Sequence, residues 1–241
     1  MLNSLYAQSA VTTFGLIAAS VYYAFSLVER AKAETDSVLR NVLPDSIVER
    51  LKANPGQSIS DGFASASILS ADISGFVGLA RGLGPKKTVA LLNTLVSKFD
   101  ELAQRHGVEK IKTIDDAYMV ASGVPIGRLD HLPALADMAL DMLDAVHQAG
   151  VDAGIPIQIR IGMASGPMMA GVIGTKKFSY DVWGDPVNLA SRLESASAPG
   201  RILVCPGCRQ NLSEAYTFES RGMIEVKGVG QQEAFFLTGR L

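Results

Sequence analysis

The first 28 residues carry no charged side chain, and charge then appears abruptly at Glu29, Arg30 and Lys32. An uncharged, mostly apolar run of this length must be covered either by a large protein core or by lipid. Leu5 to Leu27 makes 23 residues, which as a helix rising ~1.5 Å per residue reaches roughly 35 Å, enough to cross a bilayer. Tyr22 and Tyr23 lie near the charged end, as an interfacial pair does, and the positive residues that follow place the C-terminal side in the cytoplasm. A secretory signal carries positive charge ahead of its apolar run and small residues at a cleavage site, and neither occurs here in convincing form. A transmembrane helix is therefore expected over 1–28, anchoring the chain in the cell membrane. A chain that starts directly inside its only span also looks like the last span of a longer protein.

After the span, Val28, Ala31, Thr35, Val38 and Val42 recur at alternating spacings of three and four, the pattern of a narrow helix–helix seam. This predicts a cytoplasmic signalling or dimerising helical segment over 29–53, with Pro44 ending the first helix and Asp45 to Leu51 adding a further turn or two. The Gly-, Ser- and Pro-containing stretch 54–62 reads as a linker, which leaves 63–241 as the globular part. A net charge of −2 and the lack of any Lys/Arg run argue against a polyelectrolyte partner, so no nucleic acid is expected. The only cysteines, Cys205 and Cys208, form Cys-Pro-Gly-Cys. Zinc needs two further ligands, and His106, His131 and His147 are scattered singly. A thioredoxin-type pair is expected early in a chain, after a first strand, so reduced thiols at a strand-to-helix junction are the expectation here.

Within the globular part Ala64 to Ile73 reads as a buried strand, and Val89, Leu92, Leu95, Val96, Phe99 and Leu102 follow at helical spacing. Val108 to Ile114 and Ala117 to Ala121 then form two strands joined as a tight hairpin through Asp115-Asp116. A second helix shows Leu132, Leu135, Ala139, Met142 and Val146 on one face. A strand over Ile155 to Ala164 turns Ile157, Ile159 and Ile161 inward, and Pro167 to Ile173 continues the sheet. Strands Ile202 to Cys205, Tyr216 to Val226 and Glu233 to Thr238 complete the chain, with a short helix after the first of them. The order β-α-β-β-α-β predicts an α+β, ferredoxin-like core with additional C-terminal α/β elements, its helices on one sheet face.

Two places carry chemistry. In Phe178 to Glu194, Asp185 suits an N-cap and Pro186 a first helical position, so a helix begins there with Leu189, Ala190 and Leu193 as its apolar side. Asn188 and Arg192, four apart, share another face, while Asp181 stands on the strand before the turn. A carboxylate, an amide and a guanidinium together suit a ligand with a hydrogen-bonding base and an anionic group, although a capped surface helix with solvated polar residues fits the same letters. Asp72 and Asp116 each sit at the edge of a predicted strand, and a ferredoxin-like core makes those edges neighbours. Two converging carboxylates hold Mg²⁺ against a nucleoside triphosphate; two ordinary turn aspartates are the alternative.

Several motifs in order give the chain, over Asn41 to Leu241, a specific resemblance to the class III nucleotidyl cyclases. They are Leu-Pro-Asp-Ser-Ile-Val-Glu-Arg-Leu, Ser-Ala-Asp-Ile-Ser-Gly-Phe, Val-Glu-Lys-Ile-Lys-Thr-Ile, Asp-Ala-Tyr-Met-Val-Ala-Ser-Gly, Arg-Ile-Gly-Met-Ala-Ser-Gly, Tyr-Asp-Val-Trp-Gly-Asp-Pro-Val-Asn-Leu-Ala-Ser-Arg and Val-Lys-Gly. The resemblance implies an adenylate cyclase converting ATP to 3′,5′-cyclic AMP and pyrophosphate with Mg²⁺ or Mn²⁺, two per active site. Asp72 and Asp116 match its metal-binding aspartates, with the Ile73 carbonyl also reaching a metal. Lys112 and Asp181 match the pair that reads adenine, where guanine-specific relatives carry Glu- and Cys-type residues. Asn188 and Arg192 match the residues that orient the ribose and stabilise the transition state, and Lys227 the lysine that holds the terminal phosphates. The family places these two sets on opposite subunits, so a homodimer with composite sites at its interface is implied.

Asp115 stands where the family has glycine, in a turn that favours positive φ, and adds charge beside Asp116. Val77 replaces a common threonine, with little expected effect. Asp115 is the support for a competing reading, a weakly active or inactive dimerising signalling module; guanylate cyclase is a third, opposed by Lys112 and Asp181.

Overall fold

The computed structural model describes residues 2–174 and 177–241. They divide into two units, one ending at Asn54 and the other running from Pro55 to Leu241. In the first, α1 (Leu2–Arg40) is one unbroken helix of 39 residues, or roughly 58 Å at ~1.5 Å per residue. From Thr12 to Arg40 it is long and apolar enough to cross a membrane, and none of its most apolar window is buried in protein. Val28, Ala31, Thr35 and Val38 lie on α1, but Val42 falls in the turn beyond Arg40. The helix stops four residues before Pro44, whose ring disfavours helical backbone in the residue ahead of it. Pro44 then precedes α2 (Asp45–Ala53). Arg40 bonds Asp45 and Glu49, and Lys52 bonds Asp36, so ion pairs tie the two helices across the turn.

The second unit is built on an eight-stranded sheet. Its elements are β1 (Ser60–Ile73), α3 (Phe76–Leu83), α4 (Pro85–His106), β2 (Glu109–Ile114), β3 (Ala117–Ser122), α5 (His131–Ala153) and β4 (Ile159–Ile173), then β5 (Ser179–Trp183), α6 (Asp185–Ala196), β6 (Arg201–Val204), α7 (Pro206–Leu212), β7 (Tyr216–Val226) and β8 (Gly230–Arg240). The strand β1 takes in the last three residues of the expected linker. The order is β2-β3-β1-β4-β6-β8-β7, with β5 paired to β4. The first four strands, mutually antiparallel, are the ferredoxin-like core. The β6 strand joins parallel to β4, and β8 and β7 extend the sheet antiparallel.

Helical period explains the core. Leu91, Leu95, Phe99 and Leu102 of α4 and Leu132, Leu135, Ala139, Met142 and Val146 of α5 are buried with Leu69, Ala71, Ile73, Ile161 and Met163 from β1 and β4. Val89, expected on the same stripe of α4, is exposed.

The helices do not share one face, as the periodicity suggested. A Cβ added to Gly162 meets the Glu194 amide nitrogen at 2.1 Å and the Ala190 carbonyl at 2.2 Å, and one added to Gly166 meets Pro186 at 3.0 Å. Residues 162 and 166 alternate with Ile161 and Met163, so α6 lies on the face opposite α4 and α5, running back along β4. A side chain at 162 excludes the helix from that path. The N-cap of α6 is also one residue earlier than expected: Gly184, at φ 144°, takes that position, and Asp185 falls in the first turn without a capping bond.

Candidate active site

Carboxylates and guanidinium meet on the face that α6 covers. Asp72 is the cross-strand partner of Arg160, whose Nη2 donates to Asp72 Oδ2 at 2.7 Å. The same guanidinium reaches the buried Glu194 at the end of α6, with Nε 3.1 Å from Oε1, although the N–H does not point along a hydrogen bond to that oxygen. Asp116, on the β2–β3 turn, comes against Asp72 and accepts from its own and the Ile73 backbone N–H. Burial, then the charge of Asp72, pushes Asp116 up to about 6. Glu194 is also raised, first by burial and then by Asp72, with Arg160 opposing. A cavity of about 290 Å³ opens beside Asp116, between α4 and the turn, lined by Ile73, Asn93, Asp115 and Tyr118 among others.

This donor set fits a divalent cation. Two carboxylates in contact repel each other, and a 2+ charge between them removes the repulsion that raises Asp116. No group of three or more His, Cys, Asp or Glu suited to a metal occurs among the described residues.

A second cluster joins β2 to β5. Asp181 of β5 lies opposite Gly171 and receives the Lys112 ammonium on both oxygens, at 2.6 and 2.9 Å. The Val182 N–H fixes Oδ1 at 2.9 Å. The pair is thus held ready as one donor and one acceptor. Asn188 is exposed on α6 and Arg192, one turn on, is half-buried. The Arg192 guanidinium packs against Gly228, 3.4 Å from where a Cβ would stand, which brings the turn carrying Lys227 beside α6. Within one chain, then, Asp72, Ile73 and Asp116 form one group, Lys112 and Asp181 another, and Arg192 neighbours the Lys227 turn.

Arg160 and Glu194 were not singled out from the sequence. The signal for Arg160 was an arginine between Ile159 and Ile161 in a central strand, where a charge needs a partner on the face its neighbours leave. Glu194 had no such signal, because a glutamate near a helix end is ordinarily solvated.

A ferredoxin-like sheet that presents paired carboxylates, a half-buried arginine between acids and a donor–acceptor pair suits metal-assisted chemistry on a phosphorylated base-bearing ligand. Residues 60–239 match the family described as Adenylate and Guanylate cyclase catalytic domain, and the chain belongs to that family. Domains of this family depend on metal ions.

An adenylate cyclase of Mycobacterium tuberculosis (strain ATCC 25618 / H37Rv) is 43% identical over 239 residues, covering 96% of this chain and 54% of that protein. Human retinal guanylyl cyclase 2 is 40% identical over 220 residues, 88% of this chain and 20% of that protein. The chain spans about half the length of the first relative and a fifth of the second. Among solved structures, the guanylate cyclase domain of RhGC from Catenaria anguillulae in complex with GTP superposes with a TM-score of 0.71 at 33% identity, over 75% of this chain and 100% of that one. The adenylyl cyclase CyaB from P. aeruginosa does so at 0.70 and 26%, over 74% and 95%.

Proposed function

We propose that this protein is an adenylate cyclase, tethered by α1 to the cell membrane with its catalytic domain in the cytoplasm. It acts as a homodimer whose sites lie at the subunit interface, with two Mg²⁺ or Mn²⁺ per site. The observation that carries the choice of substrate is the Lys112–Asp181 pair. An ammonium donor and a carboxylate acceptor suit adenine N1 and its 6-amino group, and guanine leaves them mispaired at about 1–3 kcal/mol per buried group. The Mycobacterium relative named adenylate cyclase supports the same reading.

The ribose 3′-hydroxyl attacks the α-phosphorus and pyrophosphate leaves. Asn188 orients the ribose. Arg192 faces the charge that builds on the α-phosphoryl group, and Lys227 holds the departing phosphates. Asp72 and Asp116, with the Ile73 carbonyl, would hold the metal, which when bound would supply charge neutralisation at the phosphates and a lower pKa for the attacking hydroxyl. Two features favour a second copy. The base-reading pair and the metal carboxylates form separate clusters within one chain, and Met169, Ile173, Phe178 and Trp183, on or beside β4 and β5, are exposed apolar side chains.

The test measures cyclic AMP and cyclic GMP formation by the full chain from equal ATP and GTP with Mg²⁺ or Mn²⁺. Preference for ATP, moving toward GTP in a Lys112→Glu, Asp181→Cys double variant, is expected. A parent that prefers GTP, or a double variant with unchanged preference, removes the base-reading assignment. One observation favours the competing reading of a damped signalling module, the left-handed backbone of Asp115 beside the metal carboxylates. A weak or silent parent with a gain in Asp115→Gly is the signature of damping by this residue, and silence from both that of a module without cyclase chemistry.

A further inference from the structure

The pair Cys205 and Cys208 has no part in the chemistry above. It lies at the junction where β6 ends and α7 starts: Cys205 holds the N-cap position, and Cys208 sits one turn into the helix. Both are free and buried, on the core side of the sheet with Met163 and Leu212, whereas the Asp72–Arg160–Glu194 cluster occupies the other side. Their sulfurs are 3.5 Å apart, within S–H···S reach; Cys208 also donates to the Met163 carbonyl at 3.9 Å and meets the Ser165 backbone. Among the described residues no further His, Cys, Asp or Glu joins them as a metal group.

Spacing makes covalent closure short. Residues three apart at a helix start have Cβ atoms ~5–6 Å apart, and a disulfide needs Cβ atoms closer than that by only an ångström or so, with the sulfurs at ~2 Å. A shift of the Cys205 backbone, which lies at the N-cap outside the helical turns, together with rotation of the two side chains, closes the 3.5 Å between the sulfurs without unfolding α7. The two thiols are also unequal. Cys205 is 8% exposed and Cys208 1%. Hydrogen bonding from Cys208, against the opposing effect of burial and helped by the backbone N–H groups of Cys208 and Gly207, draws Cys205 down to about 6. Cys208 is pushed up by the same contact and by burial.

We propose that Cys205 and Cys208 form a redox-active dithiol that closes reversibly to an intramolecular disulfide by exchange with a low-molecular-weight disulfide. The Cys205 thiolate attacks one sulfur of the small disulfide, forming a mixed disulfide and releasing one small thiolate, which takes up a proton. Cys208 then gives up its proton and attacks Cys205 Sγ, expelling the second small thiolate. Two chain thiols are oxidised to one S–S bond, and the small disulfide is reduced to two thiols, so two electrons and two protons balance. Cys205 is the attacking sulfur because it is the more exposed and the more acidic; Cys208 resolves.

The experiment uses the full chain in detergent micelles, equilibrated across glutathione/glutathione-disulfide ratios, quenched in acid, alkylated with N-ethylmaleimide and weighed intact. Both alkylation sites are expected to vanish together as the ratio becomes oxidising, along a two-electron curve, and to return with reductant. Cys208→Ser is expected to trap one glutathione per chain, whereas Cys205→Ser traps none. Two maleimide adducts at every ratio under native conditions, or oxidation only as a disulfide between chains, overturns the proposal. So does glutathione trapped by Cys205→Ser in place of Cys208→Ser. The parent titration decides even where a serine variant fails to fold.

Discussion

Asp115 has φ 54°, the one positive φ other than glycine among the described residues. A side chain there costs about 1 kcal/mol relative to glycine, because Cβ crowds the neighbouring carbonyl. Asp115→Gly is therefore expected to raise the urea midpoint by the equivalent of about 1 kcal/mol and to increase cyclase activity, since the adjacent Asp116 is freed from a nearby negative charge. Equal midpoints for parent and variant count against the strain. This turn was legible beforehand: two aspartates between two strand patterns mark a hairpin, and the resemblance to the cyclase family picked out Asp115 as the position that wants glycine. The Lys112–Asp181 bond was foreseen as a pair of roles, yet its geometry was not, because it joins residues 69 apart in sequence and local spacing carries no distance between them. Arg160 stayed unassigned for the same reason. Its meaning comes from Asp72, 88 residues away.

At the scale of elements, the seating of α6 on β4 governs where Asn188, Arg192 and Glu194 stand. Gly162→Ala places a methyl 2.1 Å from the Glu194 nitrogen, and the helix must lift. A loss of about 1–3 kcal/mol in stability is expected, together with a fall in kcat larger than any change in KM. Activity within twofold of the parent would mean that α6 tolerates displacement. Periodicity identified α6 and its apolar side, but an apolar stripe does not say which face of a sheet receives it; Gly162 and Gly166 were the cue, as positions without Cβ where another backbone passes.

A second element-scale prediction concerns α5. Arg240 of β8 bonds Asp137 at 2.6 Å and Asp141 at 2.9 Å, and His106 at the end of α4 also reaches Asp141. Burial alone would push Asp141 up, but the hydrogen bonds from Arg240 and His106 outweigh it and hold the carboxyl below its ordinary value. A depressed carboxylate gives stability that is present above its unfolded pKa, near 4, and is lost as pH falls through the lower folded value. Arg240→Ala is expected to cost about 1 kcal/mol at pH 7, because a half-exposed guanidinium is screened by water. The difference from the parent should shrink below pH 4. A difference that stays constant with pH assigns the loss to packing instead.

For the whole molecule, the proposed composite sites make a prediction that no single chain can. Asp72→Ala lacks a metal carboxylate and Arg192→Ala the transition-state guanidinium, so each homodimer should be inactive. Mixing the two leaves one site per heterodimer with both groups intact, and recovery of up to about a quarter of parental activity is expected for random pairing, where half the dimers are mixed and each has one of two sites. No recovery, with heterodimers demonstrated by crosslinking, would place a whole site within one chain. The arrangement of strands and helices around such a site was readable because hydrophobic period and turn residues are local signals. Membership of the family came from the order of many motifs, and the proposed base preference rests on two side chains.

The unbroken α1 helix has one further consequence, in angular terms. From Leu16 to Arg40 it contains neither glycine nor proline, so no hinge absorbs a turn, and each residue advances the helix by about 100°. The rotational phase of Arg40 is therefore fixed by that of Leu16. Adding or removing one residue along this stretch turns everything beyond it by more than a quarter of a revolution, while seven residues restore the facing almost fully. Direction, as well as distance, is carried down the helix.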